Sequence, residues 1–161
     1  MAIESDGAVR HEVVVDLVPE EAFWKFADLD KIKPREHNLL AVPIAETVLE
    51  QHIGGDVYDR GTDGSICRWG RVLAFDPPNT IAFSWDIGSD WQVASDLNSA
   101  SEVEITFTAV GADRTRVRLV HRHIDRHGEH WESLQDGLDA PGGWVLYLGR
   151  YEALTLDELH V

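Results

Sequence analysis

The chain has 161 residues, 43% of them hydrophobic and 27% charged, which fits one globular domain and excludes an intrinsically disordered chain. Fourteen Lys and Arg against 29 Asp and Glu leave a formal net charge of −15, a balance that opposes binding to nucleic acid or to anionic lipid. A single cysteine, Cys67, excludes an internal disulfide framework and a multi-cysteine zinc site, and it suits a reducing compartment. No signal-peptide pattern opens the sequence and no apolar run reaches a membrane span, so the expected setting is cytoplasmic.

Residues 11–17 (HEVVVDL) are rich in Val and predict a strand. Pro19 followed by Glu20 and Glu21 is a helix entry, and Ala22, Phe23, Phe26 and Ala27 continue at helical spacing, predicting a helix over 19–29. Strands follow at 46–53, 56–60 and 66–75, separated by Gly54-Gly55 and by the turn GTDGS. Residues 80–86 (TIAFSWD) alternate, with Ile81, Phe83 and Trp85 on one face. Residues 87–101 read as a loop, and 92–101 as either a lid or an inert surface segment. Strands 102–109 and 115–123 alternate strongly: Val103, Ile105 and Phe107 on one, and Val117, Leu119 and His121 against Arg116, Arg118 and Arg122 on the other. They form the clearest hairpin of the chain. Residues 124–141 read as loop. From Trp144 to His160 the spacing of Trp144, Tyr147, Leu148, Tyr151, Leu154 and Leu156 predicts an amphipathic helix of about four turns.

The order β-α-β-β-β-β-β-β-α, with alternating strands, predicts an α+β helix-grip domain spanning residues 1–161. In it a curved antiparallel sheet wraps a long C-terminal helix that buries an aromatic stripe. A twisted sheet around one helix leaves a hollow, and such clefts tend to be apolar. Candidate cavity residues are Trp69, Phe83, Trp85, Ile105, Phe107, Val117, Leu119, His121, Trp144, Tyr147, Leu148 and Tyr151.

Pro19-Glu20-Glu21-Ala22-Phe23, Gly70-Arg71-Val72 before Asp76-Pro77-Pro78, Ser101-Glu102-Val103, Thr115-Arg116-Val117 through His121, and Gly128, Trp131, Gly137, Gly143 and Trp144 stand in a telling order. Over roughly residues 8–157 the chain resembles the activator of heat-shock-protein-90 ATPase homologue-like family of the START-like (SRPBCC) superfamily. That resemblance implies an α+β helix-grip fold with an internal cavity, and no assigned activity for many bacterial members.

Other chemistry is weaker. His121, His123, His127 and His130, with Asp125 and Glu129, have metal-ligand side chains, but no HExxH and no Cys pair supports a site. A hydrogen-bonded structural His121 is the simpler reading, and neither a metal nor a cofactor is expected. Arg68 and Arg71 fall in opposite pleats, so one points inward, to hold a ligand carboxylate or to pair with an internal acid. Glu50 and His52 share a pleat with Val48 and form an acid–base candidate. Cys67 reads as an inert thiol, and no catalytic residues are assigned. The leading expectation is a module that binds a hydrophobic or aromatic small molecule without an assigned reaction. The alternatives are a cyclase-, aromatase- or hydrolase-like enzyme and a chaperone-related interaction domain. A homodimer is left open.

Overall fold

A computed structural model describes residues 7–94 and 97–159. Seven strands, β1 (Val9–Val15), β2 (Ile44–Leu49), β3 (Asp56–Gly61), β4 (Ile66–Asp76), β5 (Thr80–Trp85), β6 (Ser101–Gly111) and β7 (Arg114–Arg122), form one sheet in the order β1-β7-β6-β5-β4-β3-β2. Every neighbouring pair is antiparallel. Helices α1 (Pro19–Ala27), α2 (Trp131–Asp139) and α3 (Trp144–Leu159) complete the α+β helix-grip fold. Among the described residues no helix is long and apolar enough to cross a membrane.

Register explains the core. Val9, His121, Val103, Phe83 and Val72 form one cross-strand row over five strands, and Leu119, Ile105, Ile81 and Phe75 form the next. Because side chains alternate along a strand, these rows lie on one face, which α1 and α3 cover together. In β4 the inward residues Trp69, Val72 and Phe75 are three apart rather than two. Register shifts against β3 and β5 account for both extra residues. Bulges of this kind raise the local twist and curl the sheet around the helix.

One end of the hollow is filled. Phe23 of α1 packs edge-on against Phe75 and Phe107, and Phe26 against Tyr151 and Phe107. The Tyr151 hydroxyl donates to the Ala22 carbonyl at 2.9 Å, pinning α3 to α1.

Several local expectations are corrected. Residues 131–139 are helical, not loop. WESLQDGLD buries only Leu134 and Leu138, one turn apart, so its apolar signal is a single pair. The second strand is Ile44–Leu49 rather than 46–53: Glu50 Oε1 accepts the Asp56 N–H at 2.7 Å, turning the chain, and Ile53 is exposed. Thr47 and Leu49 are its buried pleat. The last strand ends at Arg122 rather than His123, whose φ of 64° takes it out of β7. On α3, Leu156 is exposed while Thr155 is buried. Residues 95 and 96 of the expected lid, and His160 of the expected helix, lie outside the described residues.

Candidate functional site

A cavity of about 460 Å³ lies at the end of the hollow away from α1. Trp69 of β4, Trp85 of β5, and Trp144 and Tyr147 of α3 line it from the core side. Gly137 and Leu138 of α2 and the linker Gly142-Gly143 flank α3. Ile87 and Trp91 come from the loop after β5, residues 36–39 from the segment before β2, and Lys33 and Asp59 supply charge. The volume is that of an ordinary small-molecule site.

The four core-side rings form a continuous wall. Trp69 meets Trp85 edge-on at 5.4 Å between ring centres, Trp85 meets Trp144 at 5.4 Å, and Trp144 meets Tyr147 at 4.9 Å. Edge-to-face pairs are a favourable geometry for aromatic quadrupoles, so the wall supports itself without a ligand. The indole N–H groups of Trp69 and Trp85 are buried without a hydrogen-bond partner among the described residues.

Behind the wall a polar chain fixes it. The Trp144 indole, which can only donate, gives its N–H to His121 Nδ1 at 3.0 Å. The His121 proton therefore sits on Nε2, which faces the Ser101 hydroxyl at 2.7 Å. Ser101 in turn has His127 Nε2 at 2.8 Å, and burial lowers His127 while the nearby main chain of Trp85 acts against it. Burial pushes His121 down to about 3, with His127 adding to the effect, so its ring is neutral at ordinary pH. Neither Ser101 nor its two histidines lines the cavity. The arrangement orients indoles; it does not present a nucleophile.

At the sheet end of the cavity sits a charged pair. Lys33 Nζ lies 3.1 Å from Asp59 Oδ2, with both side chains 5% exposed or less. Thr47 Oγ1 donates to Asp59 Oδ1 at 2.7 Å, and Lys33 also donates to the His37 carbonyl. Burial pulls the Lys33 ammonium below its ordinary value while Asp59 pulls it back up. Nearby, His37 Nδ1 and the Tyr147 hydroxyl share a 3.1 Å hydrogen bond, and burial lowers His37 and raises Tyr147. Arg150 Nε donates to the Ile32 carbonyl at 2.7 Å, which ties the segment carrying Lys33 to α3.

Trp91 closes the outer side. Its φ of 59° is left-handed, a conformation costing a non-glycine residue about 1–2 kcal/mol. The turn is held by Trp91 N–H to Gly88 O at 2.9 Å and Gly88 N–H to Gln92 O at 3.0 Å. The indole packs so closely on α2 that a methyl on Gly137 would stand 2.8 Å from it.

Of the twelve residues expected at a cavity, Trp69, Trp85, Trp144 and Tyr147 line this one. Phe83, Ile105, Phe107, Val117, Leu119, His121, Leu148 and Tyr151 are buried in the core and do not line it. The histidine cluster disperses: His121 and His127 meet on Ser101, while His123 and His130 are exposed in left-handed conformations. Arg68 lies 3.8 Å from the buried carboxylate of Asp86 and 4.0 Å from Asp56. Burial raises Asp86, with Ser84 and Arg68 acting against it. Glu50 braces a turn and His52 is exposed, so the two do not form an acid–base pair in a cavity. Burial and Asp59 raise the Cys67 thiol, which disfavours the reactive thiolate. Lys33 and Asp59 were not among the expected site residues. Asp59 shares its pleat with buried Val57, which is the signal that would have found it.

A curled sheet gripping a helix over an aromatic cavity defines a START-like (SRPBCC) domain. The model of the family described as activator of Hsp90 ATPase homolog 1-like protein matches residues 13–154, and the chain belongs to that family. Among solved structures it is similar to the anthrahydroquino-γ-pyrone synthase Txn09, solved as a complex with a compound denoted SUM. Identity is 34%, 91% of this chain and 95% of that one are covered, and the TM-score is 0.61. It is also similar to CalC, a self-sacrificing resistance protein from Micromonospora echinospora, with 26% identity, coverage of 95% and 96%, and a TM-score of 0.66. A protein from Nitrosomonas europaea shares the fold at 14% identity, with coverage of 98% and 99% and a TM-score of 0.67. No curated protein sequence matches the chain.

Proposed function

We propose that this protein binds a hydrophobic, aromatic small molecule in the cavity between the sheet and α3. The observation that carries the reading is the ring wall Trp69–Trp85–Trp144–Tyr147 lining about 460 Å³, with charge concentrated in one buried pair. Apolar walls with few polar anchors suit binding by burial and stacking. A structural role alone would favour a filled hollow, since close packing adds dispersion contacts that an empty space lacks.

A second reading, catalysis on the bound molecule, is favoured by the 34% identity to a synthase and by an ionisable pair inside the cavity. Native mass spectrometry of freshly purified protein tests the binding reading, with a co-purified small molecule as the expected result. Bare polypeptide, together with flat thermal shifts across aromatic ketones and lipids, contradicts it.

A further inference from the structure

The cavity holds one feature that an apolar container does not need. A buried ion pair is a poor source of stability, because desolvating two charges offsets their attraction, and apolar replacements of similar volume often serve as well. Lys33 and Asp59 are nonetheless placed in the cavity wall. Their hydrogen-bonding capacity is only partly used. An ammonium has three donors, and Lys33 directs two of them to Asp59 and the His37 carbonyl. A carboxylate accepts about four, and Asp59 receives Thr47 on one oxygen and Lys33 on the other. Among the described residues one donor and two acceptor positions remain on adjacent groups, beside the Trp69 ring whose centre lies 6.0 Å from Lys33 Nζ.

The charge balance narrows what fits. The pair sums to zero, and the further ionisable carboxylate in the lining, Glu36, is exposed at the rim. An anionic ligand would have to draw Lys33 from Asp59 and a cationic one Asp59 from Lys33, each leaving a buried charge without its partner. The matching partner is uncharged and carries an acceptor and a donor side by side.

We propose that Lys33 and Asp59 are the recognition pair of the cavity, reading an uncharged aromatic that bears a carbonyl next to a hydroxyl. Lys33 donates to the carbonyl oxygen and Asp59 accepts from the hydroxyl, while the indole wall stacks on the rings. This rests on the cavity being a small-molecule site, and it adds which chemical groups the ligand must carry.

The test compares flavone, which has the carbonyl alone, with 3-hydroxyflavone, which adds the neighbouring hydroxyl. Affinity is read from quenching of tryptophan fluorescence. In 3-hydroxyflavone an internal hydrogen bond gives a tautomer emission band that external partners suppress, so the dye also reports its contacts. For the wild type, 3-hydroxyflavone binds about tenfold or more tighter than flavone, with the tautomer band suppressed. In the double variant Lys33→Met/Asp59→Asn the preference falls to about twofold or less and the band returns. The double change removes both charges together and so leaves no lone buried ion. Should that variant not fold, the wild-type band ratio decides alone. Equal binding of the two flavones with a persistent tautomer band overturns the recognition pair and leaves the cavity reading standing. Binding of neither removes the cavity reading and this proposal with it.

Discussion

Trp144 donates its indole N–H to His121 Nδ1 at 3.0 Å, with both side chains buried, and this fixes the tautomer of an imidazole that burial keeps neutral. The bond joins the first residue of α3 to the apolar row of the sheet, so the cavity wall is anchored from behind. Its consequence is a dependence of stability on pH. His121 drops from an ordinary value of 6.5 to about 3 in the folded chain. Above pH 6.5 both states are neutral and the stabilisation is fully present. As pH falls from 6.5 toward 3, only the unfolded chain takes up the proton, and folding weakens by up to about 1.4 kcal/mol per pH unit from this group. Chemical denaturation of the wild type and of His121→Gln between pH 7 and pH 4 should show a shallower loss in the variant. Parallel pH profiles would contradict the neutral, buried assignment.

The Lys33–Asp59 pair makes a separate prediction about stability. Lys33→Met alone leaves a carboxylate buried without its cation, at a cost of about 3–5 kcal/mol. Adding Asp59→Asn removes the orphan charge while keeping an acceptor for Thr47, and most of the loss should be recovered. Urea denaturation of the two single variants and the double one closes the cycle. Additive losses would mean that the two groups do not interact as the 3.1 Å contact requires.

Two glycines near the cavity should behave differently. A methyl on Gly143 would stand 2.1 Å from the Leu138 carbonyl oxygen, so Gly143→Ala has to open the corner between α2 and α3. Roughly 2 kcal/mol or more of stability should be lost, read from thermal or urea unfolding. On Gly137 the methyl meets only the Trp91 ring, at 2.8 Å, and Gly137→Ala should move that indole with little change in stability. A shifted Trp91 N–H resonance beside a melting temperature within a few degrees of the wild type is the expected pair of results. An unmoved Trp91 signal would contradict the packing of that ring on α2.

The sheet was legible because its strands alternate: Ile81-Phe83-Trp85, Val103-Ile105-Phe107 and Val117-Leu119-His121 each mark a buried pleat, and the register joins them. The stripe Trp144-Tyr147-Leu148-Tyr151 likewise placed α3. Helix α2 was not legible, since three acidic residues and a glycine in nine residues dilute its Leu134–Leu138 pair. The position of the cavity was hidden too. Alternation shows that Phe107 and Trp85 both face inward, but only packing shows that Phe23 and Phe26 fill the space over Phe107 while Trp85 borders a hollow. Lys33 carries no local signal: it precedes Pro34 in an irregular segment, and its burial depends on Asp59, which arrives from β3.

The tryptophans report directly on whether an aromatic molecule enters the cavity. Of the six in the chain, Trp69, Trp85, Trp91 and Trp144 line the cavity, whereas Trp24 and Trp131 do not. Their six indole N–H resonances can be followed by heteronuclear NMR while flavone is added. An aromatic molecule bound between the sheet and α3 shifts the four lining signals and leaves those of Trp24 and Trp131 in place. Four unchanged lining signals, or movement confined to Trp24 and Trp131, would show that the hollow is not the binding site.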